Sequence, residues 1–326
     1  MTPHQKAPPQ KSNKNPKSLV KVVASTDVGK WISPPASATF EIDGDPTFPT
    51  VNFEIDTPTA GPYKWTWKIT WDAKVSGIRE SAKRGSSVRV FSETGTFDSG
   101  KKAWLASVGH VLGGVLTVEV KAGADLFRRS ITIKAANPKK DDVVAYLSKI
   151  ADASGFDKIL EQESHYKNFI NADGQPIVAF DKGYGMTQMT HPAPSYEQCW
   201  SWKANIDAGV ALYQTKQRTA KAYLGQSHRS YTDEQLKLET WSRWNGGPYH
   251  KWDDKTKAWV RNDDIMCDTE TGNIGWKMSE KDNAGESEDD LHDRDKDSYG
   301  NPKKNKGEAN KWVYTGVCYA DHLNAQ

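Results

Sequence analysis

The sequence predicts a multidomain α and β chain, with an N-terminal β-sandwich followed by a mainly helical C-terminal half. A period of two runs through Tyr63, Trp65, Trp67, Ile69 and Trp71, which alternate with polar residues as one face of a half-buried strand does. After Asn137-Pro138 the period becomes helical, first through Val144, Leu147 and Ile150, then through Phe156, Ile159 and Leu160. The length of 326 residues suits about two domains of ordinary size.

Residues 1–35 are rich in Pro, Lys, Asn and Ser, with too few apolar side chains to offset the entropy of ordering them, and are expected to be a flexible basic lead-in. In 36–137, Val51, Phe53 and Ile55 alternate like the 63–71 run. Two apolar stretches, 115–120 and 127–133, flank the short turn Ala122-Gly123-Ala124-Asp125. Several strands without a long helical pattern predict an antiparallel sandwich of immunoglobulin-like type. This region holds no catalytic constellation. A binding or spacer role is expected of it, with a grip on glycan through exposed Trp as the alternative.

Residues 138–326 read as a mainly helical domain. Ser195-Tyr196-Glu197-Gln198 and Thr232-Asp233-Glu234-Gln235 have the spacing at which first and fourth side chains satisfy each other's backbone N–H, so a helix is expected to start at each. Gly246-Gly247-Pro248 stops the second just after Asn245. Residues 253–307, acidic and short of periodic apolar positions, are expected to be a solvated insertion. Within it Asp293, Asp295 and Asp297 alternate like calcium-loop ligands. Ser298 stands where that loop needs Gly, however, and Lys304 where it needs a bidentate Glu, so a solvated acidic loop is the better reading. Cys267 and Cys318 flank most of the insertion and would bridge in an oxidising compartment, whereas Cys199 reads as a buried thiol.

The net charge of +2 hides an asymmetry. Residues 1–30 hold six lysines against Asp27, and residues 262–298 hold thirteen acidic side chains against four basic ones. The basic tail has no motif and no interleaved aromatics, so nucleic acid is not an expected partner. No stretch approaches the ~20 apolar residues of a transmembrane helix, and the N-terminus lacks the apolar core of a secretory signal. A soluble chain made in the cytoplasm is expected. The eight histidines form no HExxH, His165 has no His or Cys partner at ligand spacing, and neither GxSxG nor a phosphate-cradling Gly loop occurs. No metal or cofactor is expected.

The chemistry is expected in 161–188. Glu163 continues the stripe of Phe156, Ile159 and Leu160 by one turn, which predicts an inward carboxyl group; burial would let it keep its proton near neutral pH, as a general acid must. Beyond it comes Gly183-Tyr184-Gly185-Met186-Thr187-Gln188, where two glycines permit close backbone approach and Gln188 supplies a neutral donor and acceptor. Glu163-Ser164, Gly185-Met186-Thr187-Gln188, Asn205-Ile206-Asp207-Ala208-Gly209 with Tyr213, and Trp244-Asn245-Gly246-Gly247 follow in order. They resemble the ES, GLMQ, NIxAG...Y and AYNAG motifs of soluble lytic transglycosylases and the related goose-type lysozymes. The resemblance runs from about residue 141 to the C-terminus apart from the insertion, with Met-Thr-Gln for Leu-Met-Gln and Trp244 for Tyr.

The resemblance implies a lysozyme-like fold that cuts peptidoglycan glycan strands between N-acetylmuramic acid and N-acetylglucosamine. Glu163 would protonate the leaving oxygen and then, as base, take the proton of the muramyl C6 hydroxyl, closing the sugar into an anhydro end. Ser164 would hydrogen-bond near the glutamate or the substrate, and Gln188 with the amides around Gly185 and Met186 would hold N-acetyl groups or sugar hydroxyls. Asn245 would position substrate or acid, with a helix C-cap as its plainer role. An aromatic from a last helix over 308–319 would pack on the carboxylate: Trp312, with Tyr314 and Tyr319 as rivals. A hydrolysing lysozyme is the alternative, with Asp181 activating water, and a non-catalytic cell-wall-binding or assembly module is another. Because the substrate lies outside the cytoplasmic membrane, the chain is expected to act in the periplasm or cell wall. Delivery would be by a secretion system, type VI foremost, or by a phage, with an immunity protein or secretion-machine component as partner.

Overall fold

The computed structural model describes residues 27–77, 84–299 and 312–326. The expected lead-in up to residue 26, Lys304 and residues 308–311 lie outside the described residues. The fold mixes helices and strands in two compact units, Met1–Lys139 with Lys167–Asn205, and Lys140–Tyr166 with Ile206–Gln326. The sequence predicts one crossover, near Asn137-Pro138. The chain makes it after Lys139 and later returns, because Phe169, Val178, Tyr184, Tyr196 and Trp200 belong to the core of the first unit. No described helix is long and apolar enough to cross a membrane.

The first unit is built on β1 (Trp31–Ser33), β2 (Thr39–Ile42), β3 (Asn52–Ile55), β4 (Tyr63–Lys74), β5 (Ser87–Ser99), β6 (Ala103–Leu105), β7 (Gly114–Ala122) and β8 (Asp125–Ala135). Among the described residues they form two sheets, in the orders β1-β3-β6 and β2-β8-β7-β4-β5. All pairings are antiparallel except β2 with β8, a departure from the antiparallel expectation. Tyr63, Trp65, Ile69 and Trp71 of β4 are buried, while Lys64, Lys68 and Asp72 on the opposite face are exposed, so the period of two is a real inside–outside alternation. Both sheets feed one core, Phe53 and Ile55 from the smaller, Trp65, Leu116 and Ile131 from the larger. Burial of each such side chain is worth about 1.5–3 kcal/mol.

The segment that returns to this unit carries the short pair β9 (Phe169–Ile170) and β10 (Gln175–Pro176) and the helix α3 (Tyr196–Trp200). Its aromatics finish the core around Trp71, which meets Trp200 edge-on at 5.5 Å and stacks on Phe91 at 5.3 Å. The Tyr196 hydroxyl, buried, donates to Gly113 O at 2.6 Å.

The second unit holds α1 (Lys140–Leu147), α2 (Phe156–Ser164), most of α4 (Trp202–Leu224), and α5 (Asp233–Trp244). The expected reciprocal caps are present at Ser195 before α3 and at Thr232 before α5. Beyond α5 come the hairpin β11 (His250–Asp253) and β12 (Ala258–Arg261), the strands β13 (Ile265–Cys267) and β14 (Ile274–Lys277), α6 (Glu288–Asp295), β15 (Val313–Tyr314) and α7 (Gly316–Ala325). The last helix therefore starts later than expected, at the Thr315 cap, with a strand before it.

The acidic stretch is not a solvated loop over its described part. Ile274, Trp276, Leu291 and Trp312 make a small core of their own. The acids have specific work: Glu288, Asp289 and Asp290 occupy the first turn of α6, where the helix dipole favours negative charge. Asp295, buried, accepts from the Trp276 indole at 2.8 Å and from Arg294 at 2.7 Å, which removes it from any calcium set. Asp268 accepts from the Tyr299 hydroxyl at 2.7 Å and lies 2.9 Å from His292 Nδ1.

That last cluster sets a pH window. The hydrogen bond to Asp268 holds the His292 imidazole above its ordinary value. Burial of Asp268 pushes the other way on its own carboxyl, but the bonds from Tyr299 and His292 outweigh it and hold that group below the usual range. The His292 contribution is complete below its unfolded value of 6.5 and fades as pH rises through the raised folded one. The Asp268 contribution is complete above 3.8 and fades as pH falls through the lowered one. Unfolding by denaturant across pH should therefore show this part most stable between about pH 4 and 6.5, and His292→Gln should flatten the alkaline decline.

Candidate active site

The Glu163 carboxyl group sits in the last turn of α2, and that helix is fixed from both ends. At its start the Trp241 indole donates to Gly155 O at 3.0 Å, the Tyr213 hydroxyl donates to Ser154 O at 3.0 Å, and the Phe156 ring lies 5.3 Å from that of Tyr213. At its end His165 and Tyr166 both turn left-handed, with φ 52° and 59°, and their N–H groups close on Glu161 O and Leu160 O. Two successive non-glycine residues in that region are unusual, and strain of this kind collects at functional sites.

Glu163 is half-buried rather than interior. The stripe of Phe156, Ile159 and Leu160 is fully buried, but α2 ends one residue beyond Glu163, so the carboxylate emerges at the margin of that stripe. There Tyr319 of α7, itself buried, donates its hydroxyl to Glu163 Oε1 at 2.7 Å. Next to this contact His322 Nε2 lies 3.1 Å from Gln162 Oε1. The neighbouring Ser164 hydroxyl donates back to Leu160 O at 3.1 Å, so its proton is directed along its own helix.

Asn245 caps the end of α5, its N–H donating to Ser242 O at 3.2 Å. The chain then reverses onto Glu239, which is fully buried; its Oε2 accepts from the N–H groups of Tyr249 and His250 at 3.1 and 3.0 Å, and Arg243 pairs with its other oxygen at 2.8 Å. A buried charge so surrounded anchors the turn that carries Asn245. α7 begins against that turn: a Cβ on Gly316 would lie 2.0 Å from Ser242 O and 2.6 Å from Gly247 N, so no other residue fits. Of the other aromatics, Trp312 is buried in the small core with its indole donating to Ser298 Oγ at 2.7 Å, and Tyr314 is exposed, its ring 5.2 Å from that of Trp312.

In the first unit, Gly185, Met186 and Gln188 come together as one buried turn whose amides are already committed. Gly185 N donates to Ile177 O at 2.8 Å, Met186 N to Asn168 Oδ1 at 2.9 Å, and Thr187 N to Asn205 Oδ1 at 2.9 Å. Asn168 and Asn205 have no exposed surface, and Asn205 Nδ2 also donates to Tyr184 O and Gln198 O. Gly185 lies at φ 66°, and a Cβ there would come within 2.5 Å of Asn168 Oδ1. The Gln188 side chain, half-buried, donates to Gly185 O at 2.6 Å. The backbone here thus makes a scaffold, and the expected amide donors for sugar are spent on it. Asp181 is exposed and accepts from Gly183 N at 3.1 Å, an Asx turn.

No family model, curated protein or solved structure matches the chain. The chemistry available is therefore read from the side chains. A carboxyl group held by a phenol at a helix end, neither interior nor loose, can exchange a proton with a bound oxygen atom. Among the described residues no group of three His, Cys, Asp or Glu side chains is placed to hold a metal ion.

Sequence reasoning set Tyr319 among three rival aromatics, and missed Asn168 as a support of the turn. Asn168 carries no local signal, because its partners are backbone groups far along the chain. The Thr187 hydroxyl stands where the resembled motif has Met. It is fully buried with no hydrogen-bond partner among the described residues, at a cost of about 1–3 kcal/mol. Thr187→Val, which keeps the shape and drops the hydroxyl, should raise stability by about 1 kcal/mol in denaturant unfolding.

Proposed function

We propose that the chain is a peptidoglycan lytic transglycosylase, with an N-terminal immunoglobulin-like β-sandwich and a C-terminal lysozyme-like domain, and with Glu163 as acid and then base. The contact between Tyr319 and Glu163 carries the reading. A general acid must reach the glycosidic oxygen, and a half-buried carboxyl group can do so where an interior one cannot. It must also be held in one orientation, which the 2.7 Å bond from Tyr319 supplies.

One carboxyl group suffices when the nucleophile is the sugar's own C6 hydroxyl, because acid and base steps follow each other at the same oxygen pair. The β-sandwich would then bind or space, Asn245 would position sugar, and delivery across the membrane by a secretion system or phage, with an immunity partner, would follow from where the wall lies. The hydrolysing alternative asks Asp181 to activate water.

Digestion of purified sacculi by the full chain, with products weighed by mass spectrometry, tests this. Anhydromuramyl ends are expected; reducing ends would assign hydrolysis, and no soluble product would leave a wall-binding module. Glu163→Gln should lower turnover by about 10²–10⁴-fold without loss of fold. Tyr319→Phe, which keeps the packed ring, should lower turnover by about tenfold with little change in KM.

A further inference from the structure

We propose that the Cys267–Cys318 bridge is a redox gate on the Glu163 site, the disulfide chain being active and the dithiol chain idle. This rests on the reading of Glu163 as the acid and concerns the regulation of that site.

The bridge joins β13 to α7, with Cα atoms 5.3 Å apart, and Cys318 immediately precedes Tyr319. α7 has ten residues. Isolated helices shorter than about 12–15 residues are marginal in water, so its position is set by what it is tied to. Val317, Cys318, Tyr319, Ala320 and Leu323 are buried in the packing around it, and its polar and covalent ties lie close together. Asp321 accepts from the Tyr249 hydroxyl at 2.6 Å and from Arg261 at 2.7 and 2.9 Å, His322 meets Gln162, and Cys318 is bonded to Cys267. The covalent tie lies one residue from the phenol that holds Glu163.

The surroundings leave α7 no slack to absorb a change at that sulfur. Cys318 is buried, and a Cβ on Gly275 of β14 would lie 2.7 Å from its Sγ. Separated into two thiols, the pair no longer constrains the distance between β13 and α7, and any movement of Cys318 passes along the helix to Tyr319. Cys267 is the accessible partner, half-buried on β13, with Arg261 Nη2 at 3.1 Å and the Asp321 carboxylate that pairs with this Arg at 3.6 Å from its Sγ.

The oxidant is a disulfide reagent, small or protein-borne. The Cys267 thiolate attacks one of its sulfurs and releases a thiolate, giving a mixed disulfide. The Cys318 thiolate then attacks the Cys267 sulfur, forming the internal bond and releasing the second thiolate. Two electrons pass to the reagent, and the two protons lost by the protein end on its two thiols. In a reducing cytoplasm the chain would stay dithiol; in an oxidising compartment, where the wall substrate lies, it would close.

The test uses the full chain purified as the disulfide, a portion reduced with dithiothreitol, and a portion of that reoxidised with glutathione disulfide. Sacculus turnover and amide hydrogen exchange are read on all three. Misplacement of a catalytic group by about 1 Å costs on the order of 100-fold. Reduction should therefore lower turnover by about tenfold or more, speed exchange in 316–325 while α5 stays protected, and reverse on reoxidation. Cys267→Ser should stay low under every condition. Equal turnover by the two forms overturns the gate and leaves the enzyme standing. No turnover by either form defeats the Glu163 reading, and unchanged exchange at α7 then overturns the gate separately. Loss of protection throughout α5 on reduction would make the bridge a plain structural staple and also overturn the gate.

Discussion

A phenol and a carboxylate from opposite ends of the second unit's sequence meet at 2.7 Å, and most of what surrounds them serves to keep that distance. Trp241 and Tyr213 hold the start of α2, the turn after α5 is wrapped on the buried Glu239, and Gly316 lets the start of α7 close against that turn. Asp321 then fastens α7 through Tyr249 and Arg261. A hydrogen bond to a charged group is worth only about 1.5–3 kcal/mol. It cannot position two helices by itself, so the packing around it has to fix them first.

Much of this was legible because it is local. The stripe of Phe156, Ile159 and Leu160, the caps at Ser195 and Thr232, and the alternation along β4 each occupy a window of a few residues, and periodicity or spacing reports them directly. What was not legible joins distant parts of the chain. Nothing near residue 319 says which of three aromatics will face Glu163, since 156 residues separate the partners. The depth of Glu163 depended on where α2 stops, and the stop at His165 and Tyr166 uses left-handed residues other than glycine, for which sequence carries little warning.

Composition misled at the acidic stretch for a related reason. A surplus of Asp and Glu describes disorder only when the charges have no partners. Here Asp268 and Asp295 are buried against Tyr299, His292, Trp276 and Arg294, and other acids sit at the start of α6. The glycine-bearing turn at 183–188 misled in the opposite sense. Its backbone donors looked free for a ligand, but Ile177 O takes that of Gly185 and the Asn168 and Asn205 side chains take those of Met186 and Thr187.

The return of Lys167–Asn205 to the first unit bears on how such a chain could be recombined. Trp71 and Phe91 are covered by Tyr184, Tyr196 and Trp200, which are encoded after α2. A gene fragment ending at Lys139 would encode sheets with one end of their core open to water. The β-rich half is thus no free cassette to be shuffled onto an unrelated chain, and its inheritance is coupled to that of the residues that follow Glu163.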